Sequence, residues 1–575
     1  MRTNKKELAL FEVPHIESIQ EMLLRSAKEY SDKTAMEDLT KYPVSSATYS
    51  ELLNYVLKFG SSLQKLGIKQ RDHVAIIGEN RVQWAIAFLS AMMFNFVAVP
   101  VDKSLTQGDI LNIINESDAT ALVFSGSFSD LFMDKKDVLS KVRFYINMDI
   151  EKTANNFYSM TEMIQNAPDV YPELPKINAN EVAEIVYTSG SLGRAKGVML
   201  TQKSISSNLM AMRRMIIVTP EDRFLGVLPM HHTYQNTCGF LCPLYSGAST
   251  HFARSLKTIP EDMIQFKPTI LLGAPLLYNK MYSKIMKTVS SSKMKLVIFN
   301  TMLRFSNAAQ KIGWKDSKKV IFKKLHDRLG GSMRLLIAGG AAPDPKVSKG
   351  FRDFGFNLIQ GYGLTETSPI LTLNRIEHYK DESAGLPLDG VEIKINQPDK
   401  NGVGEIYSRG PNNMLAYYKN EIATKETFEN DWFKTGDLGY FDEDGFLYIC
   451  GRMKNVIIAN NGENVYPEEI EDILNRNPFV LECMVYGEED EKHDERIAAL
   501  IVPDSSAFIE YANKNNVQIN PELINQLISQ AIKETNSQLV QFKQIKKYYI
   551  QEKELEKTTT QKVKRHLVTK TVNQN

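Results

Sequence analysis

Residues 183–198 read Ala-Glu-Ile-Val-Tyr-Thr-Ser-Gly-Ser-Leu-Gly-Arg-Ala-Lys-Gly-Val. The run opens as a strand, AEIVYTS over 183–189, and then concentrates three glycines, three hydroxyls and Lys196 within eleven residues. Glycines let backbone N–H groups converge on an anion, hydroxyls add donors, and a lysine supplies a mobile positive charge. The spacing of a Walker loop is absent. By itself the run reads either as a flexible surface loop or as a phosphate cradle of another design.

On both sides of it, short apolar stretches alternate with helical patterns. HVAIIGE (73–79), FVAVPV (96–101), ATALVF (119–124), FLGVL (224–228), TILLG (269–273) and MRLLIAG (333–339) predict strands, several of them apolar on both faces. Tyr49–Leu66 and Arg81–Phe94 have helical patterns. This order predicts an α/β fold with parallel sheets joined by crossover helices. After about residue 390 come VEIKI, GEIYSRG and GFLYICGR, short strands between Gly, Asn and Asp turns, as in a small antiparallel β subdomain. Beyond Arg452 a third texture follows: a strand at NVIIA, a helix at PEEIEDILNR, strands at 482–486 and 496–502, a helix near 521–538, and a basic tail.

The 575 residues are 43% hydrophobic and 24% charged, which excludes disorder as the main state. A net charge of +1 gives no overall attraction to nucleic acid, and no nucleic-acid partner is predicted. Between 541 and 575 nine Lys and Arg face three Glu, a surplus that reads as a solvated end or as a phosphate-binding tail. Four cysteines exclude a disulfide scaffold, and the Cys238–Cys242 pair lacks the partners of a zinc site, so buried free thiols are expected. The N-terminus, MRTNKKELALFEVPHIE, lacks the apolar run of a signal peptide. The most apolar stretch, Trp84 to Val101, is broken by Ser90, Asn95 and Pro100 and predicts a buried helix running into a buried strand. A soluble, cytoplasmic protein is expected, with peripheral membrane contact left open.

Further along, Gln360-Gly-Tyr-Gly-Leu-Thr-Glu-Thr-Ser-Pro369 sets an aromatic between glycines, suited to stacking on a base. Its Thr365 and Glu366 can reach a phosphate and a divalent cation. Lys434-Thr-Gly-Asp-Leu-Gly439 offers Asp437 as an acceptor for ribose hydroxyls. Gly451-Arg-Met-Lys454, Asn461-Gly-Glu-Asn-Val-Tyr-Pro467 and Lys557-Thr-Thr-Thr-Gln-Lys-Val-Lys-Arg565 follow. These segments, in this order and at these spacings, resemble the adenylate-forming (AMP-binding) superfamily of acyl-CoA synthetases, firefly luciferases and peptide-synthetase adenylation domains. The resemblance runs from Thr48-Tyr-Ser-Glu-Leu52 to Arg565.

The resemblance implies a large N-terminal domain over 1–452, made of two α/β subdomains and a β subdomain at about 385–452, then a small mobile α+β domain over 453–575. It implies activation of a carboxylate with ATP and Mg²⁺ to an acyl-adenylate, followed by transfer to a thiol, usually that of coenzyme A. Thr188, Ser189, Gly190, Ser191, Gly193 and Lys196 match the pyrophosphate loop, and Gly340, Ala341, Tyr362 and Gly363 the adenine slot. Thr365 and Glu366 match the phosphate and Mg²⁺ contacts, Asp437 and Arg452 the ribose anchors, and Lys454 the hinge. Lys562 matches the lysine that serves adenylation, and Gly462 sits where the family threads pantetheine. Attack on an α-phosphate spreads charge over nonbridging oxygens, so cations and oriented donors matter more than a strong base.

The pattern has departures. Leu192 replaces a usual hydroxyl, Ala195 a usual proline, Gln561 a usual glycine, and Ala416 a glycine before a tyrosine. His231 reads as a packed histidine, and His232 aligns with a gating position between acyl and thiol tunnels. Asp442-Glu-Asp-Gly445 reads as a hairpin turn and Leu329-Gly-Gly-Ser332 as a helix end. Gly273-Ala-Pro-Leu-Leu-Tyr-Asn-Lys-Met-Tyr282, the basic and apolar residues after it, and Glu556-Lys-Thr-Thr-Thr-Gln-Lys562 resemble long-chain acyl-CoA synthetases. Gly363 is expected to leave an acyl pocket unblocked. The expected function is therefore a long- or medium-chain fatty acid–CoA ligase. Transfer to an acyl carrier protein, an aryl-acid substrate, and a non-catalytic acyl or nucleotide sensor are the alternatives; Lys562, Glu366 and Asp437 argue against the last.

Overall fold

The computed structural model describes residues 9–39, 44–168, 173–188, 195–459, 462–489, 495–557, 563 and 565. The chain divides into two units, Met1–Ile393 with Ser408–Phe433, and Lys394–Tyr407 with Lys434–Asn575.

In the first unit, helices begin where the sequence supplies caps. Thr48 and Glu51 form a reciprocal capping box at the start of the helix Tyr49–Lys65. The Thr201 hydroxyl accepts from Ser204 N at the start of Gln202–Met215. The helix Val82–Met93 is apolar all round and buried all round, and it runs into the fully buried strand Val97–Val101. The seven strands and two helices expected from the sequence pattern in this unit all form, with ends shifted by two residues or fewer.

Two sheets organise the unit. The first has the strand order Ala416–Tyr417, Lys196–Thr201, Val182–Thr188, Val97–Val101, His73–Ile77, Ala119–Phe124, Phe144–Asn147, Tyr158–Ser159. It is parallel from Val182–Thr188 outward, and antiparallel where Lys196–Thr201 folds back and Ala416–Tyr417 joins it. Ala75, Val99, Ile114, Leu122 and Phe124 belong to its core. The second has the order Leu386–Pro387, Ile370–Leu373, Asn357–Gly363, Leu335–Ala338, Ile270–Gly273, Arg223–Gly226, Ser249–Phe252, Thr34–Asp38, Ser46–Thr48. Its parallel strands Ile270–Gly273, Leu335–Ala338 and Asn357–Gly363 end side by side, the place where an open α/β sheet offers a crevice. Between the first two of these the chain runs through the helices Pro275–Ser290, Lys293–Lys311, Ser317–Ile321 and Lys323–Arg328. The last ends at Gly330 and Gly331, both with positive φ, so Leu329-Gly-Gly-Ser332 is a helix end.

In the second unit, Asp437–Phe441 of the strand Trp432–Phe441 pair antiparallel with the strand Leu447–Arg452, turned by Asp442 and Gly445. The unit also holds a three-stranded sheet of Val480–Glu489, Glu495–Pro503 and Lys547–Ile550. Helices Pro467–Leu474 and Pro521–Asn536 pack on that sheet through Ile470, Leu474, Ile528 and Ala531. A helix at Ser505–Asn515, capped by Asp504, is additional to the elements the sequence predicts. The four cysteines are buried and free. Among the described residues, no helix is long and apolar enough to cross a membrane.

Candidate active site

The strands Val182–Thr188 and Lys196–Thr201 pair so that Thr188 stands opposite Lys196, at the base of the glycine-rich run. Ser189, Gly190, Ser191, Leu192 and Gly193 lie outside the described residues. Lys196 Nζ lies 4.9 Å from the ring centroid of Tyr417, on the neighbouring strand Ala416–Tyr417. The Tyr417 hydroxyl donates to Glu366 Oε1 at 2.8 Å. Glu366 sits in the short turn Thr365–Thr367, and its own carbonyl accepts from Met414 N at 2.7 Å. That turn is braced by two buried amides: Asn412 Nδ2 donates to Thr367 O at 3.0 Å, and Asn208 Nδ2 to Ile370 O at 2.7 Å.

Lys196 and Glu366 are thus joined through Tyr417, which the sequence reading passed over, with Thr188 paired opposite Lys196 and Thr365 adjoining Glu366. The signal was present in the unusual Ala416 before a tyrosine, but its meaning depends on a strand pairing between residues more than 200 positions apart. Asn208 and Asn412 were missed for the same reason.

On the strand Asn357–Gly363 that leads into the turn Thr365–Thr367, Gln360 is level with Ala338 of the parallel neighbour, and Tyr362 and Gly340 each follow two residues on. Gly340 has φ +87°, which favours glycine, and with Ala341 it is exposed while Tyr362 is half-buried. Gly363 has a different reason to be glycine from the open pocket expected of it. A Cβ there would sit far inside van der Waals contact of the Pro369 carbonyl oxygen. The structure therefore shows a close backbone approach, and a bulky replacement would collide with the chain before it could plug anything.

His231 and His232 precede a π-helical segment, Tyr234–Leu241. Burial lowers the pKa of His231, and Asp102 Oδ1, 3.6 Å from its Nε2, counters the shift. The Tyr234 backbone N–H donates to His232 Nδ1 at 3.4 Å, and the Tyr234 hydroxyl donates to Ile337 O at 2.9 Å. His232 is half-buried beside the Tyr234 backbone.

In the second unit, Asp437 stands directly opposite Arg452 across the antiparallel pair, with Arg452 Nε 2.8 Å from Asp437 Oδ1. Lys454 follows in a short turn, Met453–Asn455. Gly462 has φ +78° in the turn between the strands Ile457–Ile458 and Asn464–Val465, and its N–H donates to Ala459 O at 2.7 Å. Lys562 and Gln561 lie outside the described residues. Three residues on, Arg565 is anchored: Nη1 donates to Val485 O at 2.7 Å and Nη2 to Glu471 Oε1 at 2.6 Å.

The donor set of the first unit suits a polyphosphate with a hard cation. Thr188 and Thr365 offer hydroxyls, Lys196 a charge, and Glu366 a carboxylate with one oxygen oriented by Tyr417. Among the described residues no group of three or more His, Cys, Asp or Glu could hold a metal by itself.

The chain matches the AMP-binding enzyme family over residues 23–418 and the AMP-binding enzyme C-terminal domain over 454–575. It is 27% identical to a chloroplastic long-chain-fatty-acid–[acyl-carrier-protein] ligase of Arabidopsis thaliana, over 89% of this chain and 79% of that one. It is 26% identical to a long-chain-fatty-acid–CoA ligase of Mycobacterium bovis, over 97% and 96% respectively. Among solved structures, the o-succinylbenzoate coenzyme A synthetase of Bacillus subtilis, in complex with ATP and magnesium ion, superposes with a TM-score of 0.73 at 23% identity. That match covers 95% of this chain and 99% of that one.

Proposed function

The chain belongs to the AMP-binding enzyme family, and from that premise we propose that it activates a long- or medium-chain fatty acid with ATP to an acyl-adenylate and passes the acyl group to coenzyme A, releasing AMP and pyrophosphate. The observation that carries the reading is the Lys196–Tyr417–Glu366 constellation at the base of the glycine-rich run. The names of the Arabidopsis and Mycobacterium relatives supply the acid class.

The substrate carboxylate is the nucleophile, so these residues act by holding charge. Thr188, Lys196 and the glycine-rich run cradle the pyrophosphate, and Thr365 contacts phosphate. Magnesium, when bound, neutralises phosphate charge, and Glu366 is the residue that would hold it. Tyr417 fixes the rotamer of Glu366 so that its carboxylate needs no reorganisation as charge develops. Tyr362, Gly340 and Ala341 hold the adenine, and Asp437 with Arg452 the ribose. Lys562 serves the adenylation step, Lys454 is the pivot between the two steps, and the mobile domain begins at residue 453. His232 gates the acyl and thiol paths, and Gly462 admits pantetheine.

An acyl carrier protein is the second acceptor to weigh, because the Arabidopsis relative is named for it. An aryl acid is the second acid, given the succinylbenzoate enzyme. Peripheral membrane contact belongs to the same reading, because long acids partition into bilayers. ATP–pyrophosphate exchange over a panel of aliphatic and aryl acids tests the proposal, followed by AMP release with coenzyme A or carrier protein. Exchange that rises with chain length, with release dependent on coenzyme A, is expected. No exchange with any acid would leave the non-catalytic sensor.

A further inference from the structure

The helix Lys293–Lys311 has two apolar faces. The inner one carries Phe299, Met302 and Leu303 and packs on the core of the second sheet, with Phe299 5.8 Å from both Phe322 and Phe354. The outer one consists of Met294, Ile298 and Phe305, spaced four and seven residues apart, flanked by Val297 and continued at the helix end by Ile312. At 3.6 residues per turn these fall on a single stripe. They are 71%, 50%, 59%, 64% and 86% exposed in that order, and Trp314 just beyond is 44% exposed. A soluble helix places polar residues on that side. Here a ridge of large apolar side chains faces outward along the helix.

Charge indicates what covers it. Between Pro275 and Arg328 there are thirteen Lys and Arg against two Asp, a surplus of eleven in a chain whose net charge is +1. The surplus exceeds that of the C-terminal tail, 541–575, where nine Lys and Arg face three Glu. Lys293, Arg304 and Lys311 lie about 80–100° round the helix from the stripe, so they flank the apolar ridge. An outward apolar stripe with lysines beside it is the pattern of a helix lying in a membrane interface, apolar face down and cations at the headgroups. With no membrane-spanning helix among the described residues, the contact is one of lying on the surface.

We infer that the outer face of Lys293–Lys311, with Ile312 and Trp314, docks on an anionic lipid surface. The inference deepens the membrane contact included in the functional reading but stands on this surface alone, so lipid binding and acid activation can fail independently.

Co-sedimentation of the full-length protein with vesicles, without ATP or acid, tests it. Vesicles of phosphatidylcholine with phosphatidylglycerol should pellet the protein and shift Trp314 emission to the blue, whereas phosphatidylcholine alone should do neither. Ile298→Ser with Phe305→Ser and Ile312→Ser should weaken binding by about tenfold or more, because apolar burial and charge act together. Lys293→Glu with Arg304→Glu should do the same through charge alone. An unchanged thermal midpoint shows that the variants are folded, and Phe305→Leu should retain binding. The inference is overturned by absent binding to anionic vesicles, by equal binding of the folded serine variant, or by binding confined to an acidic carrier protein.

Discussion

The hydroxyl of Tyr417 donates to Glu366 Oε1 at 2.8 Å, across 51 positions of sequence. The same ring lies 4.9 Å from Lys196 Nζ, so one aromatic side chain orients an anion and receives a cation. Tyr417 therefore couples the glycine-rich run to the carboxylate proposed to hold magnesium.

Tyr417→Phe keeps the ring beside Lys196 and removes only the donor. A hydrogen bond to a charged group is worth about 1.5–3 kcal/mol, so exchange at low Mg²⁺ should slow about tenfold to a hundredfold. The half-saturating Mg²⁺ concentration should rise, and Tyr417→Leu should add the loss of the cation–π contact. Identical Mg²⁺ titrations for Tyr417→Phe and the parent would show that the hydroxyl does not hold Glu366.

Glu184 is buried in the interior of the strand Val182–Thr188, with no partner for its Oε1, and burial pushes its pKa up to about 8. In the unfolded chain it ionises near its ordinary 4.5, so between 4.5 and about 8 the folded state holds the extra proton. Stability should fall as pH rises through that window, by at most about 5 kcal/mol, and be flat in this respect above it. Glu184→Gln should flatten the dependence in denaturant titrations. An unchanged pH profile for that variant would assign the effect to other groups.

Arg565 binds Glu471 and the Val485 carbonyl in the second unit. Arg565→Leu leaves the half-buried Glu471 without its cation. Burial already pushes that carboxyl up to about 7, so it takes up a proton, a change that costs about 1–3 kcal/mol. The second unit should unfold at lower denaturant, with faster amide exchange at Val485. Because Lys562 is three residues away, adenylation should also slow. Parent-like exchange at Val485 would mean that the pair anchors nothing.

Lys562→Ala removes the charge proposed to serve adenylation and should slow that step by about 100- to 1,000-fold. Acyl transfer from supplied acyl-adenylate should be nearly intact. Lys454→Pro fixes φ near −65° and removes a backbone donor, so acyl-adenylate should accumulate while transfer fails. Equal loss of both half-reactions in Lys562→Ala, or normal turnover in Lys454→Pro, would contradict the division of labour between the two lysines.

Local pattern carried the reading a long way. Strands such as Ala119–Phe124 and helices such as Tyr49–Lys65 formed where apolar periodicity and a Thr–Glu capping box predict them. The motif segments were likewise visible, because each gathers its residues within a few positions. Gly363 shows the limit: its glycine was legible, but the reason, the Pro369 carbonyl, lies in how the chain doubles back.

The sequence by itself determined the α/β order, the family, and the places where the groups proposed to bind phosphate concentrate, since hydrophobic period, turn residues and short motifs are properties of neighbouring residues. Only the tertiary structure decided that Tyr417 meets Glu366 and Lys196, that Glu184 lies buried with an unpartnered oxygen, and that Met294, Ile298 and Phe305 face outward. A strand's neighbours and a helix's outward side are set by pairing and packing between distant segments. An apolar stripe carries the same letters whether it faces the core or the solvent.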